Sequence, residues 1–272
     1  MVSHLVIPCY NEAERLPSDR ILEFLRDNPH WTLVFVDDGS RDTTLDLLNE
    51  IHQQEPLQTA ILSLKQNSGK AEAVRTGMFC AITQFAAERV GFADADLATP
   101  LEEVMLLDEV LDRHPDVECA LGVRLPLLGH EIQRKKHRFL IGRSFARLAS
   151  WVLGAKCCDT QCGMKLFRVS PELESALNAP FLSRWVFDVE LIKRLKLVHG
   201  NDFFNRVPLW EQPLESWEEV AGSKLRPRDF LIAGLDLWRI WRQTSLPEAD
   251  PPGDRFDIIA LPESDRSLPR AA

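Results

Sequence analysis

No stretch of this 272-residue chain approaches the run of about 18 apolar residues that a membrane-spanning helix requires; even the uncharged segment from Thr76 to Ala87 contains Thr, Gly and Gln. Positive charge is scarce as well. Thirty-two Lys and Arg stand against 41 Asp and Glu, and the resulting net charge of −9 argues against non-specific nucleic-acid binding as the main role. Met1 leads directly into an apolar run ending at Ile7 without a basic segment and a long apolar one after it, so no signal peptide is expected. There is no CxxC pair, and no histidine lies near the Cys157, Cys158, Cys162 cluster, which speaks against zinc. The six cysteines are read as reduced cytoplasmic thiols. No GxGxxG follows the first apolar run and no GxxxxGK[ST] occurs, so neither a dinucleotide fingerprint nor a P-loop is present. Internal repeats are absent too.

What remains is ordinary globular composition, 45% hydrophobic and 27% charged, which excludes disordered, collagenous and coiled-coil chains. Short β-rich runs alternate with helix-period segments through the first half, the rhythm of βαβ units and a parallel sheet. Strands are expected at His4–Ile7, Thr32–Val36, Thr59–Leu64, Arg89–Ala93 and Val117–Val123. Helices are expected at Ser18–Asp27, Thr43–Gln54, Lys70–Ala87 and Leu101–Arg113, the last opened by Thr99 and Pro100. Beyond residue 124 the pattern predicts a long basic helix, an irregular Cys-rich turn, and a strand near Lys165–Val169. A helix near Phe187–Leu197, a strand near Phe203–Leu209 and a final helix near Pro227–Gln243 follow. The fold class implied is α/β, a doubly wound, mostly parallel sheet flanked by helices in a single catalytic domain over residues 1–245. From Leu246, prolines and charges without periodicity suggest a loose tail over 246–272.

In such sheets ligands bind beyond the carboxyl ends of the strands. The first strand there runs into Pro8-Cys9-Tyr10-Asn11-Glu12, the second into Asp37-Asp38-Gly39-Ser40, and the fourth into Asp94-Ala95-Asp96. Asp-Gly-Ser alone is ordinary turn chemistry, and a lone DxD can be a solvated loop. Three polar or acidic strand ends together are harder to explain that way. Two carboxylates two residues apart suit Mg²⁺ or Mn²⁺ shared between protein and substrate phosphates. Asn67-Ser68-Gly69-Lys70 adds a glycine, a cation and a helix N-terminus favourable to an anion.

The combination PCYNE (8–12), VDDGSRD (36–42), NSGKAEAVRTG (67–77) and DADLATP (94–100) resembles the inverting family-two glycosyltransferases of GT-A fold. DTQCGMKLF (159–167), RWVFDVELI (184–192) and WEEVAGSKL (217–225) look like the subgroup that moves glucose from UDP-glucose to dolichyl or other polyprenyl phosphates. The resemblance implies that Pro8, Tyr10 and Glu12 line the nucleotide pocket, with Asp37 or Asp38 near the base. Lys70 would contact the nucleotide, Asp94 the ribose or metal, and Asp96 the metal. It also implies an acceptor phosphate held by Arg124 and by basic helix residues such as Arg138 or Arg143. Ala98 stands where mannose-transferring relatives often carry glutamine, which favours glucose.

From Ile132 to Cys158 there are seven basic residues and no acidic one. As a helix, this segment sets Ile141, Phe145, Leu148 and Val152 on an apolar stripe, with Lys136, Arg143 and Arg147 roughly opposite. The final helix is apolar over most of its circumference and carries Trp238 and Trp241; core packing, a dimer contact and a membrane interface all fit it. Peripheral contact with an anionic cytoplasmic membrane face is thus expected for a chain without a spanning segment. A phosphate acceptor needs no general base. A hydroxyl acceptor would, and Asp188 is then the candidate; Asp188 and Glu190, two apart on a helix, cannot share one face, so at most one of them points at the substrate. Two alternatives therefore stay open: a glycosyltransferase acting on a sugar, protein or small-molecule hydroxyl, and a non-catalytic nucleotide-sugar binding module.

Overall fold

The computed structural model describes residues 2–133, 136–200, 203–206, 209–220 and 227–262. In chain order they form β1 (Ser3–Cys9), α1 (Ser18–Asp27), β2 (Trp31–Asp37), α2 (Thr44–Gln54), β3 (Thr59–Leu64), α3 (Lys70–Thr83) and β4 (Arg89–Phe92). Next come α4 (Glu103–Arg113), β5 (Cys119–Val123), β6 (Glu131–Gln133), α5 (Lys136–Leu153), β7 (Lys165–Arg168), α6 (Pro171–Leu177) and α7 (Phe187–His199). The last elements are α8 (Phe203–Arg206), β8 (Leu209–Pro213), β9 (Ser216–Glu218), α9 (Pro227–Arg242), a 3₁₀ turn (Gly253–Arg255) and β10 (Phe256–Ala260). They divide into two compact α/β units, one reaching Leu97 and taking up the chain again at Pro252, the other spanning Ala98–Pro251.

In the first unit the strand order is β10-β3-β2-β1-β4. β1 pairs parallel with β2 and β4, and β2 parallel with β3. Leu5, Val6 and Ile7 on β1 and Leu33 to Val36 on β2 are fully buried, the unbroken apolar runs of strands covered on both faces. Gly77 lets α3 lie close on them: a Cβ there would come within 2.4 Å of Val6 Cγ1 and 2.8 Å of Val36 Cγ2. Because the chain lays down β2 and β3 on one side of β1 and β4 on the other, the strand order reverses between β1 and β4 while the strands stay parallel. That switch point is where such sheets bind ligands, and both Tyr10 and Asp94 follow it.

The second unit has β5 between antiparallel β7 and parallel β8. Short parallel β6 and β9 pair separately, Ile132 opposite Trp217.

Three expectations are corrected. Residues Phe203–Arg206 are a helical turn, and the strand begins at Leu209; positions 207 and 208 of the expected strand lie outside the described residues. The turn follows Gly200, which ends α7 at φ 86°, and lets buried Phe203 pack on His199 and Phe204. The stretch expected to be loose after Leu246 contains β10, which pairs antiparallel with β3, Phe256 opposite Leu64. Ile258 and Ile259 are exposed, so backbone pairing rather than apolar burial holds this strand. On α5 the buried face is Ala146, Ala149, Val152 and Leu153, and Leu148 of the expected apolar stripe points outward. The basic row opposite it is present in exposed Arg143 and Arg147.

One core residue makes stability depend on pH. His4 is 1% exposed, stacks on Phe85, and its Nδ1 has no hydrogen-bond partner. Burial pushes its pKa down to about 4. The unfolded chain therefore binds the proton more readily, and this residue's contribution is full above the ordinary histidine pKa and lost as pH falls towards 4. Between those limits the wild type should lose about 2–3 kcal/mol more than His4→Leu. Urea unfolding of both proteins at stepped pH checks it, and parallel curves would exclude His4 as the cause.

Candidate active site

The residues expected on the donor side lie in the first unit, on the four loops that follow β1, β2, β3 and β4. After β1, Asn11 adopts φ 51° and its Oδ1 accepts the Arg41 N–H at 2.8 Å, while its own N–H donates to Ser40 Oγ at 3.1 Å. The Glu12 N–H donates to Thr44 Oγ1 at 2.9 Å. The loops after β1 and β2 thus fix each other. Pro8, Tyr10 and Glu12, all half-buried, stand along this edge.

Asp37 and Asp38 are both buried, and the chain itself supplies their partners. Asp37 accepts from Ser40 N at 3.1 Å and Ser63 Oγ at 3.2 Å. Asp38 accepts from Ser68 N at 2.6 Å and Gly69 N at 2.8 Å, and from Asn67 Nδ2 at 3.1 Å. One carboxylate therefore grips the loop that opens α3 and sets Lys70 in place. Gly39 is required at the same spot: its φ is 68°, and a Cβ would meet Asn67 N at 2.9 Å.

After β4 the chain turns sharply, the Leu97 N–H donating to Asp94 O at 3.1 Å, and buried Leu97 takes the left-handed φ of 45°. A leucine held there costs about 1 kcal/mol or more. The strain sits directly after the acid pair. Lys70 Nζ donates to Asp94 Oδ1 at 2.5 Å, and Arg15 Nη2 lies 3.4 Å from Asp96 Oδ2 and its Nε 3.5 Å from Glu12. Both aspartates are partly open, at 37% and 28% side-chain exposure. Among the described residues no three His, Cys, Asp or Glu side chains converge on one point. The protein side of a cation site would be these two carboxylates alone, which fits a hard divalent ion whose other positions are filled by water and diphosphate oxygens. Lys70 was expected to be close to the nucleotide; Arg15 was not anticipated, because nothing in PCYNEAER marks it as facing an acid 81 residues later.

The second unit carries its own polar cluster. Arg124 follows β5 and is 12% exposed. Its Nε and Nη2 donate to the two oxygens of Asp159 at 2.6 and 2.8 Å, and the ring of Trp217 lies 5.3 Å from the guanidinium. Glu211 in turn accepts the Cys158 N–H at 2.6 Å, fixing the turn on which Asp159 sits. Asp188 is buried, with Lys165 Nζ 2.7 Å from Oδ1 and Gln161 Nε2 3.3 Å from Oδ2. Two residues on, Glu190 accepts the Leu182 and Ser183 N–H groups at 2.8 and 3.2 Å and pairs with Arg194 at 2.7 Å. Burial pushes the Glu190 carboxyl above its usual range even with Arg194 beside it. Glu190 is thus a structural acid. Asp188 is instead engaged by Lys165 and Gln161.

Asp159, Gln161 and Lys165 are all drawn from DTQCGMKLF, which the sequence marked only by resemblance. The Arg138 side chain, residues 134–135 and the 221–225 part of WEEVAGSKL lie outside the described residues. All six cysteines are free thiols.

The profile of Glycosyl transferase family 2 matches residues 4–173. The chain belongs to glycosyl transferase family 2. It is a glycosyltransferase, and the matched span takes in the loops after β1 to β4, Arg124, Asp159 and Lys165 but ends before α7. The dolichyl-phosphate beta-glucosyltransferase of Drosophila melanogaster is 34% identical over 260 residues, covering 87% of this chain and 73% of that protein. The Homo sapiens protein of the same name is 34% identical over 249 residues, covering 86% and 72%. Glucosyl-3-phosphoglycerate synthase from Mycobacterium tuberculosis, in complex with Mn²⁺, UDP and phosphoglyceric acid, superposes with a TM-score of 0.59 at 16% identity, covering 96% of this chain and 87% of that one. At that identity the likeness concerns the fold, which is the GT-A type expected from the sequence. As a family-two glycosyltransferase the chain has no helix among its described residues long and apolar enough to cross a membrane.

Proposed function

We propose that this family-two enzyme transfers glucose from UDP-glucose to a dolichyl-type polyprenyl phosphate, with inversion at the anomeric carbon. The observation that carries the proposal is the 34% identity to dolichyl-phosphate beta-glucosyltransferases along 87% of the chain. Their names specify a β product, and the sugar of UDP-glucose is α-linked, so one displacement with inversion connects the two.

The acceptor phosphate has a second pKa of about 6 and is largely dianionic at neutral pH. Its oxygen attacks C1, the bond from C1 to the UDP oxygen breaks, and UDP departs with the electron pair. No proton has to be removed, in keeping with the engagement of Asp188 by Lys165 and Gln161. Arg124, its Nε and Nη2 engaged by Asp159, meets the acceptor phosphate; a guanidinium oriented in this way suits phosphate. Arg143, on the exposed side of α5, and Arg138 add positive charge for the same group. On the donor side Pro8, Tyr10 and Glu12 flank the nucleotide, while Asp37 and Asp38 shape its loop. Asp94 and Asp96 would hold Mg²⁺ or Mn²⁺, which supplies a positive charge to the leaving diphosphate. Lys70 and Arg15, resting on those aspartates, are placed to turn to the same diphosphate.

Turnover of UDP-glucose, GDP-mannose and UDP-N-acetylglucosamine with and without detergent-solubilised dolichyl phosphate tests the proposal. Glucose transfer that depends on the lipid phosphate, with a β linkage by NMR, is expected, and calorimetry should show UDP binding more tightly than GDP. Tighter GDP binding would overturn the donor. Transfer only to water-soluble hydroxyls would overturn the acceptor.

A further inference from the structure

Two helices of the second unit, α5 and α9, carry large apolar side chains that are exposed among the described residues. On α9, Asp236, Leu237 and Ile240 are buried, whereas Ile232, Leu235, Trp238 and Trp241 are 44, 59, 50 and 45% exposed. The usual sidedness of a surface helix is inverted, with the acid inside and the tryptophans outside. On α5, Leu148 and Trp151 are 42 and 58% exposed. Trp151 and Trp241 stack with ring centroids 5.0 Å apart, which joins the two exposed faces into one surface.

Four arginines are exposed on these two helices. Arg143 and Arg147 on α5 and Arg239 and Arg242 on α9 are exposed, and Arg242 lies 5.0 Å over the Trp238 ring. α5 contains no acidic residue, and on α9 Asp236 is buried and paired with Arg239, the Asp229 side chain lying outside the described residues. In a protein of net charge −9 that is a marked local reversal.

We infer that the outer faces of α5 and α9 form a docking surface for an anionic lipid bilayer, with the tryptophans entering the headgroup layer and the arginines facing lipid phosphates. Tryptophan favours that layer because its ring is apolar and its N–H polar. Exposed apolar patches with a polar rim mark interaction sites, and the positive rim selects a negatively charged partner. A second copy of the chain would bring like-charged arginines together, which disfavours self-association through this face. The inference rests on the lipid-acceptor reading, because an enzyme of a lipid-borne phosphate works where that lipid lies.

The experiment is co-sedimentation with vesicles of phosphatidylcholine alone or mixed with phosphatidylglycerol, at low salt and without acceptor. Wild type should bind the anionic vesicles and be released by salt. Trp151→Ser with Trp238→Ser should lower the partition by about tenfold or more. Arg147→Gln with Arg242→Gln should lower it by about fivefold per arginine. Both variants should keep wild-type transfer to detergent-solubilised acceptor. No vesicle binding by wild type, undiminished binding by the tryptophan variant, or a dimer in light scattering that this variant dissolves would each overturn the docking surface. Wild-type binding without any transfer to dolichyl phosphate would support the surface and overturn the acceptor, so the two ideas fail separately.

Discussion

Asp96→Asn is expected to lower transfer by about a hundred- to a thousandfold while leaving the fold intact. A neutral amide is a weak ligand for a hard cation, and a charge missing from the leaving diphosphate is felt where it matters most, in the transition state. Stability should barely change, because Asp96 is partly exposed and its contact with Arg15 is 3.4 Å long, the kind of pair worth about 0–1 kcal/mol. Turnover at saturating Mn²⁺, read beside a thermal melt, separates the two effects. Near-normal turnover by a folded Asp96→Asn protein would remove Asp96 from the metal site. The neighbouring acid is a less clean probe. Asp94→Asn would also release Lys70, which lies 2.5 Å away, and so alter the ligand-free site as well as the loaded one.

The second large effect concerns stability. Arg194→Met should cost about 3–5 kcal/mol, because it strands a carboxylate in the interior. Glu190 and Arg194 are both fully buried. The guanidinium also donates to the carbonyls of Ala176, Ala179 and Pro180 at 2.6–3.0 Å and lies against the Phe181 ring. It thereby joins α7 to the end of α6. Removing the charge at both ends, Glu190→Gln with Arg194→Met, should recover part of the loss, since no buried ion then lacks its partner. Urea unfolding of the two variants measures this. A double variant no more stable than Arg194→Met would show that the backbone contacts, not the stranded charge, dominate.

Much of this was legible beforehand, and the exceptions have a common cause. Strands buried on both faces, such as β1 and β2, announce themselves as unbroken apolar runs, and α1 opens and closes where its periodicity does. The acid pair after β4 stands out because its spacing is local. Partnerships across long separations leave no local mark. Nothing near Arg124 points to Asp159, 35 residues away, and nothing near Asp188 points to Lys165. Asp37 and Asp38 show the converse: acids at a strand end that read as ligand contacts have their oxygens occupied by the chain's own N–H and hydroxyl groups. Helical spacing sets Leu148 and Val152 on one stripe but does not say which of them meets a neighbour; Val152 is buried and Leu148 is exposed.

The course of the chain also bears on how the protein is made. β3 is complete at Leu64, yet its outer edge is paired only by β10, from Phe256 to Ala260. A ribosome therefore adds nearly two hundred residues, including the whole of the other unit, while that edge stays open. An open parallel edge rich in Ile and Leu is a template for pairing with other chains. The newborn enzyme thus passes through a long interval of vulnerability that the finished one does not have. A tag or cut placed before Phe256 would make the interval permanent.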